Sequence, residues 1–127
     1  MILPGNEAKT LPSIAYEEMK GTIHIKGRSI SPEVEAYYGD FLPYLEDNLK
    51  KNPMNLKIDI EFEYFNTKTA KLMMQFFGIV KKNVVEKDLD ANITWIIEEG
   101  DDDLLEAAED YEELTKLKFN YITKPEE

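Results

Sequence analysis

The sequence predicts an α/β fold: a mixed sheet of about five strands, in the order ββαβαβαβ, with three main helices on one face. Two observations carry the prediction. Residues 54–64, MNLKIDIEFEY, alternate without a break. Met54, Leu56, Ile58, Ile60, Phe62 and Tyr64 share one parity, and Asn55, Lys57, Asp59, Glu61 and Glu63 share the other. That pattern marks a strand with one buried and one wet face, whereas a strand covered on both faces would be apolar throughout. Helical and strand-like periods then take turns along the chain, so the helices that connect the strands all fall on the dry side.

Each element has its own signal. PSIAYEEM is a weak first strand, and Lys20-Gly21 joins it to TIHIK as a hairpin, with Ile23 and Ile25 inward and His24 and Lys26 outward. The first helix is expected from Ser31 to about Lys51, with Val34, Tyr37, Tyr38, Phe41, Leu42, Leu45 and Leu49 in period. Ser31 suits its N-cap and Pro32 the first helical position, and Pro43 predicts a kink near residues 39–43. The second helix is expected from Thr67 to about Lys87. Ala70, Met73, Phe77, Val80 and Val84 form one stripe, which Leu72, Phe76 and Ile79 widen, so this helix is expected to be contacted from more than one side. NITWII places Ile93, Trp95 and Ile97 together. A third helix spans about Asp101 to Lys116, and LKFNYI places Leu117, Phe119 and Tyr121 together. The organisation that follows is a flexible N-terminus over residues 1–10, a single α/β domain over 11–123 and a C-terminal tail over 124–127.

Composition limits the function. The chain has 127 residues, 26 acids against 15 bases, and a formal charge of −11. Phosphate backbones need a basic stripe, so nucleic acid and anionic membrane surfaces are not expected partners, and other proteins are. There is no cysteine, hence no thiolate nucleophile and no cysteine-type zinc site. The N-terminus does not read as a signal peptide, and no apolar run approaches ~18 residues. A cytoplasmic protein is expected.

Little in the chain suggests catalysis. His24 is the one histidine and falls on the wet parity of a strand. The acidic run EEGDDDLLEAAEDYEE lacks the spacing of a calcium loop, and Asp101, Asp102 and Asp103 stand where acids favour a helix start. No phosphate-cradling glycine motif occurs. Tyr37 and Tyr38 fall at core-facing helical positions. No enzyme activity, cofactor or metal is expected. What stands out is the turn Asn66-Thr67-Lys68-Thr69, with more capping residues than one helix needs. It lies at the carboxyl edge of the sheet, where α/β folds place function. On the residues alone it is either a helix cap or a site.

The segments KTLPSIAYE, GTIHIKGRSISPE, EYFNTKTAKLM and TWIIEEGDDDLLEAAEDYEEL, in that order and spacing, resemble the SiaC family. The resemblance runs from about Lys9 to Ile122. It rests on Gly27-Arg28-Ser29 with Pro32-Glu33, on the Tyr-Phe-Asn-Thr turn and on the block from Trp95 to Tyr111. The family consists of small bacterial phosphoproteins that regulate biofilm formation and share the fold of anti-anti-sigma (STAS) factors. The resemblance implies a non-enzymatic switch. A protein kinase phosphorylates a threonine in the turn, a PP2C-type phosphatase removes the phosphate, and the unphosphorylated form engages a downstream partner, in the best-known system a diguanylate cyclase. Carried onto this chain, the phosphoacceptor is Thr67, with Thr69 as a second candidate. Asn66 shapes the turn, and Lys68 and Lys71 are candidates to contact the phosphate. The family pattern has serine after the threonine, where this chain has Lys68. The alternative is a constitutive interaction module that keeps the fold without the switch.

Overall fold

The computed structural model describes residues 1–126. Its elements are β1 (Ile2–Leu3), β2 (Ser13–Glu17), β3 (Thr22–Ser29), α1 (Val34–Lys51), β4 (Leu56–Phe65), α2 (Thr67–Asn83), a short 3-10 turn (Val85–Lys87), β5 (Ala91–Glu98), α3 (Asp102–Thr115) and β6 (Phe119–Lys124). The six strands lie in one sheet in chain order. The β1–β2 and β2–β3 pairs are antiparallel, while β3, β4, β5 and β6 run parallel to one another. Each parallel step is a strand-helix-strand connection moving in the same direction. Such connections share one hand, so all three helices fall on one face. The other face stays wet, as the alternation in β4 requires.

The core fills the space between helices and sheet. Trp95, fully buried, stands at its centre with Phe62, Phe77, Tyr111 and Phe119 around it at ring separations of 6.0 to 6.2 Å. α2 is the middle helix. Phe76 meets Phe41 of α1 at 5.9 Å, and Phe77 meets Tyr111 of α3 at 5.2 Å. The β2–β3 hairpin turns where expected, at Gly21, whose φ of +69° and close approach to Asn55 O leave no space for a Cβ.

The structure departs from expectation in several places. The sheet has six strands rather than about five, because Ile2–Leu3, within the stretch expected to be a flexible N-terminus, pairs with β2. The Met1 ammonium donates to Tyr16 O at 2.8 Å, and the Tyr37 hydroxyl links Gly5 N to Pro12 O. α1 begins at Val34 and not after a Ser31 cap. Ser31 N donates to Thr10 O and its Oγ accepts from Glu33 N, so Ser31 belongs to a preceding turn. α1 continues through Pro43, which is exposed. α2 ends at Asn83, four residues early. There the Asn83 side chain donates to Ile79 O, competing with the ladder, and the 3-10 turn follows. Tyr121, expected inward, is 37% exposed because β6 is an edge strand, and its hydroxyl donates to Glu112. Of the expected C-terminal tail, Lys124 belongs to β6 and Glu127 lies outside the described residues. No described helix is long and apolar enough to cross a membrane.

Candidate functional site at the carboxyl edge of the sheet

Four parallel strands end together, at Ser29, Phe65, Glu98 and Lys124. The Asn66-Thr67-Lys68-Thr69 turn sits on this edge, between β4 and α2. Asn66 is the N-cap. Its backbone is extended (φ −88°, ψ 176°), and its Oδ1 accepts from Thr69 N at 2.9 Å. Asn66 N donates to Ser29 O at 3.0 Å, which ties the cap to the end of β3.

The two threonines have opposite surroundings. Thr69 is fully buried. Its Oγ1 donates to Ser29 O at 2.9 Å and lies 2.7 Å from Ser29 Oγ, which is 3.1 Å from the Tyr38 hydroxyl. Each hydroxyl has one proton, so the direction of the chain is set. Tyr38 donates to Ser29, Ser29 to Thr69, and Thr69 to the Ser29 carbonyl. Burial raises the Tyr38 phenol pKa, partly offset by its Ser29 hydrogen bond and raised further by Tyr37 and Tyr111, so it remains a neutral donor. Thr67, by contrast, is exposed at the first position of α2. With Asn66 serving Thr69 N, the N–H groups of Thr67 and Lys68 find no acceptor among the described residues. They face outward with the positive end of the helix dipole.

Lys68 leans toward α1, with Nζ 3.4 Å from Pro32 O and 4.0 Å from Glu35. Lys71 is exposed one turn along α2. The turn thus presents one free hydroxyl with two lysines nearby, on a base held by buried hydrogen bonds.

Sequence reasoning missed two features of this edge. Ser29 is one, although a hydroxyl at the inward parity of β3 was the available signal. The other is a register shift between β3 and β4. Gly27 pairs with Phe62, but Arg28 pairs with Tyr64, so Glu63 is an extra residue and the inward parity changes. Tyr64, expected in the core, is 63% exposed. Phe65 turns inward instead and packs on Phe62 at 5.2 Å. Past the shift, Glu63, Tyr64 and Phe65 line a groove of about 300 Å³ with Asp101, Asp103, Leu104 and Ala107 of the α3 start. Asp101 is the cap of α3, accepting from Leu104 N at 3.1 Å. Away from this edge, His24 is exposed and 3.5 Å from Asp59. Among the described residues, no group of three or more His, Asp or Glu side chains is placed to hold a metal ion.

The model of the SiaC family of regulatory phosphoproteins matches residues 6–124. None of the curated proteins matches the sequence. The fold is similar to that of SiaC of Pseudomonas aeruginosa, with a TM-score of 0.82 and 19% identity over 99% of this chain and 98% of the other. The SiaC chain crystallised with the diguanylate cyclase SiaD, which it activates, matches with a TM-score of 0.84 and 19% identity over 99% of both chains. At that identity the likeness speaks to the fold.

Proposed function

Because the chain belongs to the SiaC family of regulatory phosphoproteins, we propose that it is a switch protein whose binding to a downstream protein is set by reversible phosphorylation of Thr67. The observation that carries this reading is the contrast at the turn. Thr67 offers an exposed hydroxyl, while Thr69 is buried with its proton already committed to Ser29 O. A kinase reaches the first without disturbing the fold and the second only by opening it.

A phosphate adds about −1.5 to −2 charges and strong acceptor oxygens. At a helix N-terminus the free N–H groups and the dipole favour it by about 0.3–1 kcal/mol, up to about 2. Lys71, four residues on, supplies a positive charge on the same helical face. Glu61 and Glu63 on β4 oppose it, so the domain is expected to keep its stability. A partner covering a neutral threonine is affected far more. It must desolvate a dianion, which costs several kcal/mol unless paired, and each 1.4 kcal/mol is tenfold in affinity. The partner is expected to be a diguanylate cyclase, as it is for the SiaC of the SiaD complex. A protein kinase and a PP2C-type phosphatase would set the phosphate level.

The test is phosphorylation by the cognate kinase, with the site mapped by mass spectrometry. The expected result is label on Thr67 that disappears in Thr67→Ala. Label that persists in both Thr67→Ala and Thr67→Val sinks the assignment. Thr67→Asp is expected to weaken cyclase binding at least about tenfold. Unchanged affinity would leave the constitutive interaction module as the better reading.

A further inference from the structure

We propose that the groove between the end of β4 and the start of α3 docks an arginine side chain of a protein partner. The proposal rests on the reading above only in taking the partner to be a protein that covers the Thr67 turn.

The register shift creates the groove's wall. Without it Tyr64 would continue the inward row of Ile58, Ile60 and Phe62. With it, the ring lies open at 63% exposure, two residues before Asn66. Bulges beside functional sites commonly re-aim a side chain in this way. Phe65, Leu104 and Ala107 complete an apolar floor. Around it stand the carboxylates of Glu63, Asp101 and Asp103. None of the three has an ion-pair partner among the described residues. Asp101 spends one oxygen on the α3 cap and keeps the other.

An exposed aromatic ring, an apolar floor and unpaired carboxylates select the occupant. Anions are repelled by the rim and by the net charge of −11. A bare metal ion gains nothing from the floor. A guanidinium suits every part: its plane stacks on the tyrosine ring, its stem covers the floor, and its forked N–H groups meet carboxylates in pairs. Lysine offers a compact, strongly hydrated charge and no plane to stack, so arginine is the better fit. The volume holds one large side chain and not a helix. The surrounding partner surface would then lie on the Thr67 turn.

The experiment is an amide-resolved NMR titration of the unphosphorylated protein with a capped Leu-Arg-Leu peptide. Its control is the same peptide with neutral citrulline in place of arginine. Saturable shifts are expected at Tyr64, Phe65, Leu104 and Ala107, with citrulline binding about fivefold weaker or less well still. Tyr64→Ala is expected to weaken binding about two- to fivefold. Asp101→Asn combined with Asp103→Asn is expected to weaken it about threefold or more while keeping a side-chain oxygen for the cap. Absence of saturable shifts at these amides overturns the proposal. So does equal affinity for the citrulline peptide, or wild-type affinity in both variants. The peptide needs neither kinase nor cyclase, so failure here leaves the phospho-switch standing, and an unphosphorylated Thr67 leaves the groove standing.

Discussion

At the scale of single residues, Asn66 and Thr67 divide the work of the turn. Asn66 closes the helix through Thr69 N and is tied to Ser29 O through its own N–H. Thr67 caps nothing and is exposed. Asn66→Ala is therefore expected to cost about 1 kcal/mol in chemical denaturation, whereas Thr67→Ala should stay within about 0.5 kcal/mol. Equal losses would show that both residues cap. Thr69→Val keeps the shape but leaves the buried Ser29 hydroxyl without an acceptor and Ser29 O with Asn66 N as its remaining donor. It is expected to cost about 1–3 kcal/mol, read as a lower denaturation midpoint at unchanged slope.

At the scale of elements, two helices contain glycines that no packing demands. Gly39 in α1 and Gly78 in α2 are exposed, and a Cβ at either would meet nothing within 4 Å. Alanine at each is expected to add about 0.5–1 kcal/mol by reducing the freedom of the unfolded chain. Thermal unfolding of the double variant checks it, and an unchanged Tm would contradict it. Gly27 has the opposite character. Its φ of +123° at the register shift is open mainly to glycine, so Gly27→Ala is expected to cost about 1–3 kcal/mol. The alternation of residues 54–62 identified β4 and its buried face, but the extra residue Glu63 leaves no mark in composition. Whether Tyr64 or Phe65 turns inward is decided by how β3 pairs with β4.

At the scale of the whole molecule, the buried tyrosines tie stability to alkaline pH. Burial, with help from Glu18 and Tyr44, pushes the Tyr16 phenol up to about 12, and burial raises Tyr38 and Tyr111 as well. In the unfolded chain these phenols ionise near pH ~10. Between about pH 10 and 12 the unfolded state therefore holds fewer protons than the folded one, and stability falls as pH rises through that window. Denaturation midpoints measured across it should drop, with phenolate absorbance of the buried rings appearing only on unfolding. Phenolate signal from all the tyrosines before unfolding would contradict it.

Local periodicity was enough to determine that this chain forms an α/β sheet with one dry face. It also placed α2 at its centre and a cap-rich turn on the carboxyl edge, because parity and helical period are properties of neighbouring residues. Which of Thr67 and Thr69 is buried was not legible in the sequence, where the two hydroxyls stand two positions apart with similar capping chemistry. Tertiary structure decided it. Ser29 and Tyr38, 40 and 31 positions from Thr69, close around one hydroxyl and leave the other in water. The groove beside the turn has the same origin: its two walls, from β4 and α3, meet only once the sheet is assembled, and no local pattern encodes a contact between them.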